Sequence, residues 1–316
     1  MKRRFSKVLV TGGAGFIGSH VAERLLADGY HVTVLDNLST GKLQNLERCS
    51  DNSNFHFIKG DIRDKKLVDE AVAGVDAMIH EAAITSVSLS IKNPKLVFNV
   101  NATATLNLLK SCVKNRVKRF IFASSAAVYG AATKMPISEH APTRPLSPYG
   151  QSKLRSEKYC QKFWDEYGLE TVCLRYFNVY GPRQTAGQYA GVISGFFDRL
   201  RKKLPPVIYG DGEQTRDFVY VGDVVEATVL ALGCEMAEGE VLNIGTGKVT
   251  SVNQLFSIFT KLMHCRLKPK FAAPRAREIK HSQADITKAR KILGYRPKVS
   301  LEQGLKKFIE WKFSVD

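Results

Sequence analysis

The stretch VLVTGGAGFIGSH, Val8 to His20, constrains this 316-residue chain more than any other. It sets Gly12, Gly15 and Gly18 directly behind a short β-branched run, with helix-forming residues after them. Glycines at this spacing let a strand turn tightly into a helix. They also let the backbone approach a pyrophosphate, and they aim the helix N-terminus at its phosphates. A second strand, His31–Asp36, comes next and ends in a carboxylate. An acid there suits hydrogen bonds to the adenosine ribose hydroxyls of NAD and repels the extra phosphate of NADP. No Lys or Arg follows Asp36 until Lys42, which agrees with NAD. The alternative is a tight β–α turn that holds no ligand. Asp61 closes a third strand and either meets the adenine or caps the next helix.

Residues 7–12, 31–36, 55–61, 76–83, 118–125, 171–178 and 240–245 read as buried strands. Helical patterns such as 18–28 and 101–114 fill the gaps. Strands alternating with helices predict an α/β chain with a Rossmann-type, doubly wound parallel sheet of about seven strands. The expected division is an NAD-binding domain over residues 1–180, rejoined by the strand near 240–245, and a smaller mixed α/β lobe over 181–316 that takes the substrate. Past residue 180 loops dominate, and the last seventy residues read as irregular and basic.

SPYGQSKLRSE, Ser147 to Glu157, puts Tyr149 four residues before Lys153, so on a helix both share a face. A nearby ammonium favours phenolate, which predicts a base usable near neutral pH. The plain alternative is an amphipathic surface helix. The formal net charge is +17, but the basic residues are dispersed and no aromatic pattern is interleaved with them. That favours a phosphorylated small ligand over nucleic acid. Six cysteines without metal-ligand spacing read as reduced thiols of a cytoplasmic protein, with no metal expected. No apolar run approaches the roughly 20 residues that span a bilayer, so no membrane partner is expected.

Taken together, VTGGAGFIGSH, HEAA, FNVN, FASSAAVYG, SPYGQSK, LRYFNVYGPRQ, YGDGEQTRDFVYVGDV and AREIKHSQADITKARKILGY resemble the extended short-chain dehydrogenase/reductase superfamily. The likeness is to its NAD-dependent nucleotide-sugar epimerase/dehydratase branch and covers nearly the whole chain in family order. It implies tightly bound NAD contacted by Phe16, Ile17, Asp36, Asn37, Asp61, Ile62, Ala82, Ala83, Asn99, Tyr149, Lys153 and Phe177. Ser125 matches the catalytic Ser/Thr, with Ser124 as runner-up; Tyr149 is the implied base and Lys153 its partner. Asn178, Arg216 and Arg275 match positions that hold the diphosphate of a sugar nucleotide, with Arg277 as the other register for Arg275. Tyr209 matches an aromatic against uracil, and Glu278 an acid for the uridine ribose. Ser86, Val192 and Ser282 fall beside the sugar. A homodimer through residues 101–114 and the Tyr149 helix is likewise implied.

The branches of this family part company once the sugar has been oxidised. A dehydratase needs an Asp-Glu pair directly after the catalytic hydroxyl, and this chain has Ala126 and Ala127 there. Oxidation and return of the hydride remain, which is 4-epimerisation of a UDP-hexose. Serine at 282, rather than a large aromatic, leaves room for an N-acetyl group, so UDP-GlcNAc/UDP-GalNAc is the expected pair, with UDP-glucose/UDP-galactose beside it. The alternatives are a UDP-uronic acid 4-epimerase that uses Thr85, Ser86 and Ser88, a reductase, and a non-enzymatic RNA-binding relative. Asp36 speaks against the reductase, and the retained Tyr149 and Lys153 against the RNA binder.

Overall fold

Strands rich in Val, Ile, Leu and Phe, without a regular polar alternation, suit a sheet covered by helices on both sides. The computed structural model describes residues 4–184, 191–274 and 279–315. In it β1 (Lys7–Thr11), β2 (His31–Asp36), β3 (Phe55–Lys59), β4 (Ala77–His80), β5 (Arg119–Ser125), β6 (Glu170–Tyr176) and β7 (Val241–Ile244) form one sheet. Every neighbouring pair is parallel, in the order β3-β2-β1-β4-β5-β6-β7. The order reverses between β1 and β4, so a crevice opens above their carboxyl ends, where such sheets bind ligands.

The helices of eight residues or more among the described residues are α1 (Phe16–Ala27), α2 (Lys65–Val72), α3 (Ala104–Lys114), α4 (Pro148–Tyr167), α5 (Val192–Arg201), α6 (Val221–Gly233), α7 (Val252–Leu262) and α8 (Leu301–Val315). One apolar core joins α1 and α6 to one sheet face through Val21, Leu25, Ile79, Val172, Val224 and Leu232. A second joins α2, α3 and α4 to the other face through Val68, Met78, Leu108, Phe122 and Phe163. A third lies under α5, α7 and α8, where Phe196, Phe197, Phe259 and Phe308 meet edge to face.

The structure corrects two readings. The last seventy residues are not irregular: they hold α7, the helix Thr287–Leu293 and α8. Their lysines and arginines hide an apolar stripe, seen in α8 as buried Leu305, Phe308 and Ile309 beside exposed Lys306 and Lys307. Asp61 is not the cap of α2. Asp64 is, accepting from Lys66 N and Leu67 N.

Ser147 caps α4 by accepting from Gly150 N, and Pro148 fills its first turn. Beneath the helix, Glu157 receives two bonds from Arg175 on β6, at 2.9 and 2.7 Å, with both side chains buried. Arg175 also donates to the Tyr129 hydroxyl at 2.9 Å, and Tyr129 donates to Asn243 Oδ1 on β7 at 2.6 Å. The pair fixes the height of α4 over the sheet. Glu157→Gln leaves a buried guanidinium without its counter-charge, and the expected loss is about 3–5 kcal/mol. A urea titration checks it; an unchanged midpoint would refute the role.

Candidate active site

A cavity of about 560 Å³ runs over the carboxyl ends of the strands, from Asp36 at one end to Tyr149 at the other. Its floor begins with the glycine turn. Gly12 has φ +69°, a conformation L side chains rarely adopt, and a Cβ there would lie 2.6 Å from Ala82 N. A Cβ on Gly18 would lie 2.3 Å from the Gly12 carbonyl oxygen. Both glycines are therefore required by close backbone approach. The N-terminus of α1 has no side-chain cap, so its N–H groups face the cavity without a side-chain acceptor. Uncapped N–H groups, a close backbone and a cavity of this size fit the pyrophosphate of a dinucleotide.

Asp36 sits at the end of β2, where Oδ2 accepts from Ala14 N at 3.0 Å and Oδ1 from Leu38 N at 2.7 Å. Burial raises its pKa, and those two bonds oppose the rise. Asp61 is held well below the usual carboxylate range, first by the Arg63 guanidinium, and it also accepts from Asn37 Nδ2 at 2.9 Å. Asn37, Asp61, Ile62 and Arg63 share this wall with Ser39 and Thr40. Ser39, Thr40 and Arg63 carry no sequence signal of their own and become visible only through the fold. Ala82 and Ala83 line the middle. Asn99 does not line it: it is exposed, and Leu96 and Val100 of the same turn face the cavity instead. The wide helical turn Asn99–Thr103 that opens α3 displaces it.

At the other end α4 brings Tyr149 and Lys153 to the cavity lining beside Ser125, Phe177 and Asn178. The Ser125 hydroxyl, which accepts from Ala127 N at 3.2 Å, lies near enough to the Tyr149 phenol to lower its pKa. Ser124 also borders the cavity, but its hydroxyl donates to Glu157, which leaves Ser125 as the hydroxyl that serves the phenol. Lys153 Nζ donates to the Ala123 carbonyl at 2.7 Å. This overturns the expectation that Lys153 acidifies Tyr149. Burial is the larger influence and raises the phenol, Ser125 lowers it, and the Glu81 charge raises it further. Burial also brings Lys153 down to about 8. For both groups the loss of water around the charged form is the first cause of the shift.

Asn101 carries a role that its sequence context does not announce. Buried at the base of α3, it accepts from Ile84 N at 2.8 Å and donates to Ile84 O and to Ser152 Oγ at 3.0 and 3.1 Å. It thereby ties the segment after β4 to α4. Its one signal is its place in FNVN, beside Asn99. His80, read as a packed side chain, is one: its ring nitrogens meet Thr11 Oγ1 at 2.7 Å and Thr105 Oγ1 at 2.8 Å.

The expected substrate residues divide. Asn178 is on the cavity wall, while Ser86, Val192, Tyr209, Arg216 and Ser282 lie beyond it. Ser86 caps the helix Val87–Lys92, Val192 opens α5, and Arg216 lies in a short strand paired with Thr250. Ser282 is buried, its N–H donating to Thr215 O. Arg275, Arg277 and Glu278 lie outside the described residues.

Residues 8–245 match the model of the NAD dependent epimerase/dehydratase family. A putative UDP-glucose 4-epimerase of Methanocaldococcus jannaschii is 44% identical over 307 residues, 96% of this chain and 97% of the relative. The solved UDP-glucose 4-epimerase of Thermotoga maritima with UDP-glucose superposes with a TM-score of 0.92 at 42% identity, covering 98% of this chain and 99% of that one. A UDP-N-acetylglucosamine 4-epimerase of Methanobrevibacter ruminantium, solved with UDP-N-acetylmuramic acid, gives 0.94 at 38% identity, again over 98% and 99%.

Gly12→Ala tests the cradle. The left-handed conformation costs a non-glycine residue roughly 1–2 kcal/mol, and the clash with Ala82 displaces the turn. The purified variant should retain much less nucleotide than the parent, seen as a lower ratio of absorbance at 260 to 280 nm; equal retention would refute the cradle.

Proposed function

The chain belongs to the NAD-dependent epimerase/dehydratase family, and from that premise we propose that it is an isomerase, a 4-epimerase of UDP-hexoses. The observation that carries the reading is the single cavity wall shared by Tyr149, Lys153 and Ser125, followed by Ala126 and Ala127 where a dehydratase needs acids. NAD, when bound, supplies an acceptor that takes up the C4 hydride and returns it. Phe16, Ile17 and the glycine turn would hold its phosphates, and Asp36 its adenosine ribose. The family's dependence on NAD and the carboxylate at Asp36 agree.

Tyr149 takes the proton of the sugar hydroxyl as general base and gives it back. Ser125 holds the same oxygen and keeps the phenol in line. Lys153, its ammonium oriented by Ala123 O, would hold the nicotinamide ribose of the bound cofactor. The methyl groups of Ala126 and Ala127 cannot move a proton, so the 6-hydroxyl stays on the sugar. The keto-sugar turns over between the two hydride transfers, which inverts C4.

The finer reading is that the N-acetylated pair UDP-GlcNAc/UDP-GalNAc is turned over alongside UDP-glucose/UDP-galactose. Its support is the serine at 282 and the solved relative of the N-acetylated class. Asn178, Arg216 and Arg275 are the residues we assign to the diphosphate, Tyr209 to the uracil and Glu278 to the uridine ribose. Division of the chain into a cofactor half and a substrate lobe, tight retention of NAD and a homodimer belong to the same reading. Among the described residues no helix is long and apolar enough to cross a membrane.

Product analysis of a panel of UDP-sugars with no added cofactor tests the activity. Both pairs should interconvert, and inversion of neither would refute the reading. Tyr149→Phe should lower kcat by roughly 10²–10⁴-fold, the usual contribution of a general base. Ser282→Tyr should depress the N-acetylated pair and spare UDP-glucose; a gain on the N-acetylated pair would overturn the assignment of Ser282.

A further inference from the structure

Glu81 stands just past β4, on the wall that also carries Ser125, Tyr149, Lys153 and Tyr176. The chemistry above does not use it. Its Oε1 accepts the Tyr176 phenol at 2.9 Å. The same phenol oxygen lies 2.9 Å from Thr228 Oγ1 on α6. Thr228 gives its own hydrogen to Val224 O, also at 2.9 Å. Tyr176 therefore has one hydrogen and two acceptors.

With Glu81 ionised, the phenol donates to the carboxylate. With Glu81 protonated, the acid donates to the phenol oxygen and the phenol turns to Thr228. The three side chains thus accommodate either protonation state without stranding a buried donor. The hydrogen-bond chain ends at Val224 O inside α6, so a proton reaches Glu81 from the cavity side. The groups facing it are Lys153 and Tyr149 from α4 and Tyr176 from β6; from α6 the neutral Thr228 faces it. The adjoining His80 is pushed by burial to about 3, so it stays neutral.

We propose that Glu81 is a positioning residue that sets the charge at the catalytic end: as a carboxylate it favours the ammonium of Lys153 and the neutral phenol of Tyr149, and on taking up a proton it releases both. The proposal rests on the assignment of Tyr149 and Lys153 to the chemistry. Burial places Glu81 at about 7 against the pull of Tyr176 and Lys153, so the change of state falls in the neutral range. The effect on Lys153 has the matching sign, since Glu81 opposes the fall that burial imposes.

The test uses the purified holoenzyme and does not require a known sugar. Infrared pH-difference spectra should show a carboxyl titrating across the neutral range. The band should be lost in Glu81→Gln and moved to higher pH in Tyr176→Phe, which removes the bond that favours the carboxylate. Ultraviolet titration should show the Tyr149 phenolate, identified by its loss in Tyr149→Phe, appearing at lower pH in Glu81→Gln. Where a UDP-sugar turns over, the neutral inflection of its kcat/KM profile should vanish in the same variant. A merely structural glutamate would alter stability and leave these titrations in place. Identical infrared spectra for parent and Glu81→Gln, or an unmoved phenolate titration, would overturn the proposal. Should Glu81→Gln fail to fold, an unshifted carboxyl band in Tyr176→Phe would overturn it. Absence of epimerase activity alone would count against the functional reading and leave the spectra to decide this one.

Discussion

The site depends on one close approach, that of the Gly12 backbone to the backbone of Ala82, where a Cβ would come within 2.6 Å. β1 and β4 are adjacent, yet the chain leaves them in opposite directions, one toward α1 and one toward the helix Val87–Lys92 and α3. Where the chains part, a crevice must open. Its depth is set by how nearly the glycine turn settles onto the segment after β4. Gly12 N bonds Leu35 O on one side, and Glu81 N bonds Thr11 O on the other. The turn is thus held between β2 and β4, and both ends of the cavity take their positions from it. Asp36 directly follows the acceptor of one of those bonds, and Glu81 makes the other.

That constraint explains what the sequence could disclose. Glycines at 12 and 18 are readable because no other residue fits, and Asp36 because it closes a strand. Tyr149 and Lys153 are readable because an i,i+4 pair survives any tertiary setting of a helix. The acidity of Tyr149 is not readable. It depends on how much water the fold leaves around the phenol and on Glu81, which lies 68 positions earlier in the chain. Asn99 and Asn101 make the same point. Both stand in FNVN, but Asn99 is exposed and absent from the cavity lining, while Asn101 is buried and bonded to Ile84 and Ser152. Sequence alone does not carry that difference.

The basic composition of the carboxyl-terminal third misleads for a related reason. Dense charge reads as irregular chain, whereas long lysine side chains cover helix faces while their ammonium groups reach water. Lys312 goes further: it is buried, and its ammonium stands over the Trp311 ring at 5.5 Å.

The segments after β6 are fastened to the sheet by a different device, and that device bears on how Arg216 is placed. Asp217 is fully buried and accepts from Thr246 N, Thr246 Oγ1, Gly247 N and Ala284 N at 2.6 to 3.1 Å. Its own carbonyl accepts from Asn178 N at 3.0 Å. The loop after β7, the segment carrying Ser282 and the strand carrying Asn178 thus converge on one residue. Burial raises Asp217, and the four donors resist the rise, so the anion is held by directed bonds rather than by a counter-charge. Arg216, next in the chain, inherits that rigidity at its Cα. If Arg216 serves the diphosphate as proposed, a guanidinium on so fixed a backbone needs to order only its own side chain, and a planar fork loses little in doing so.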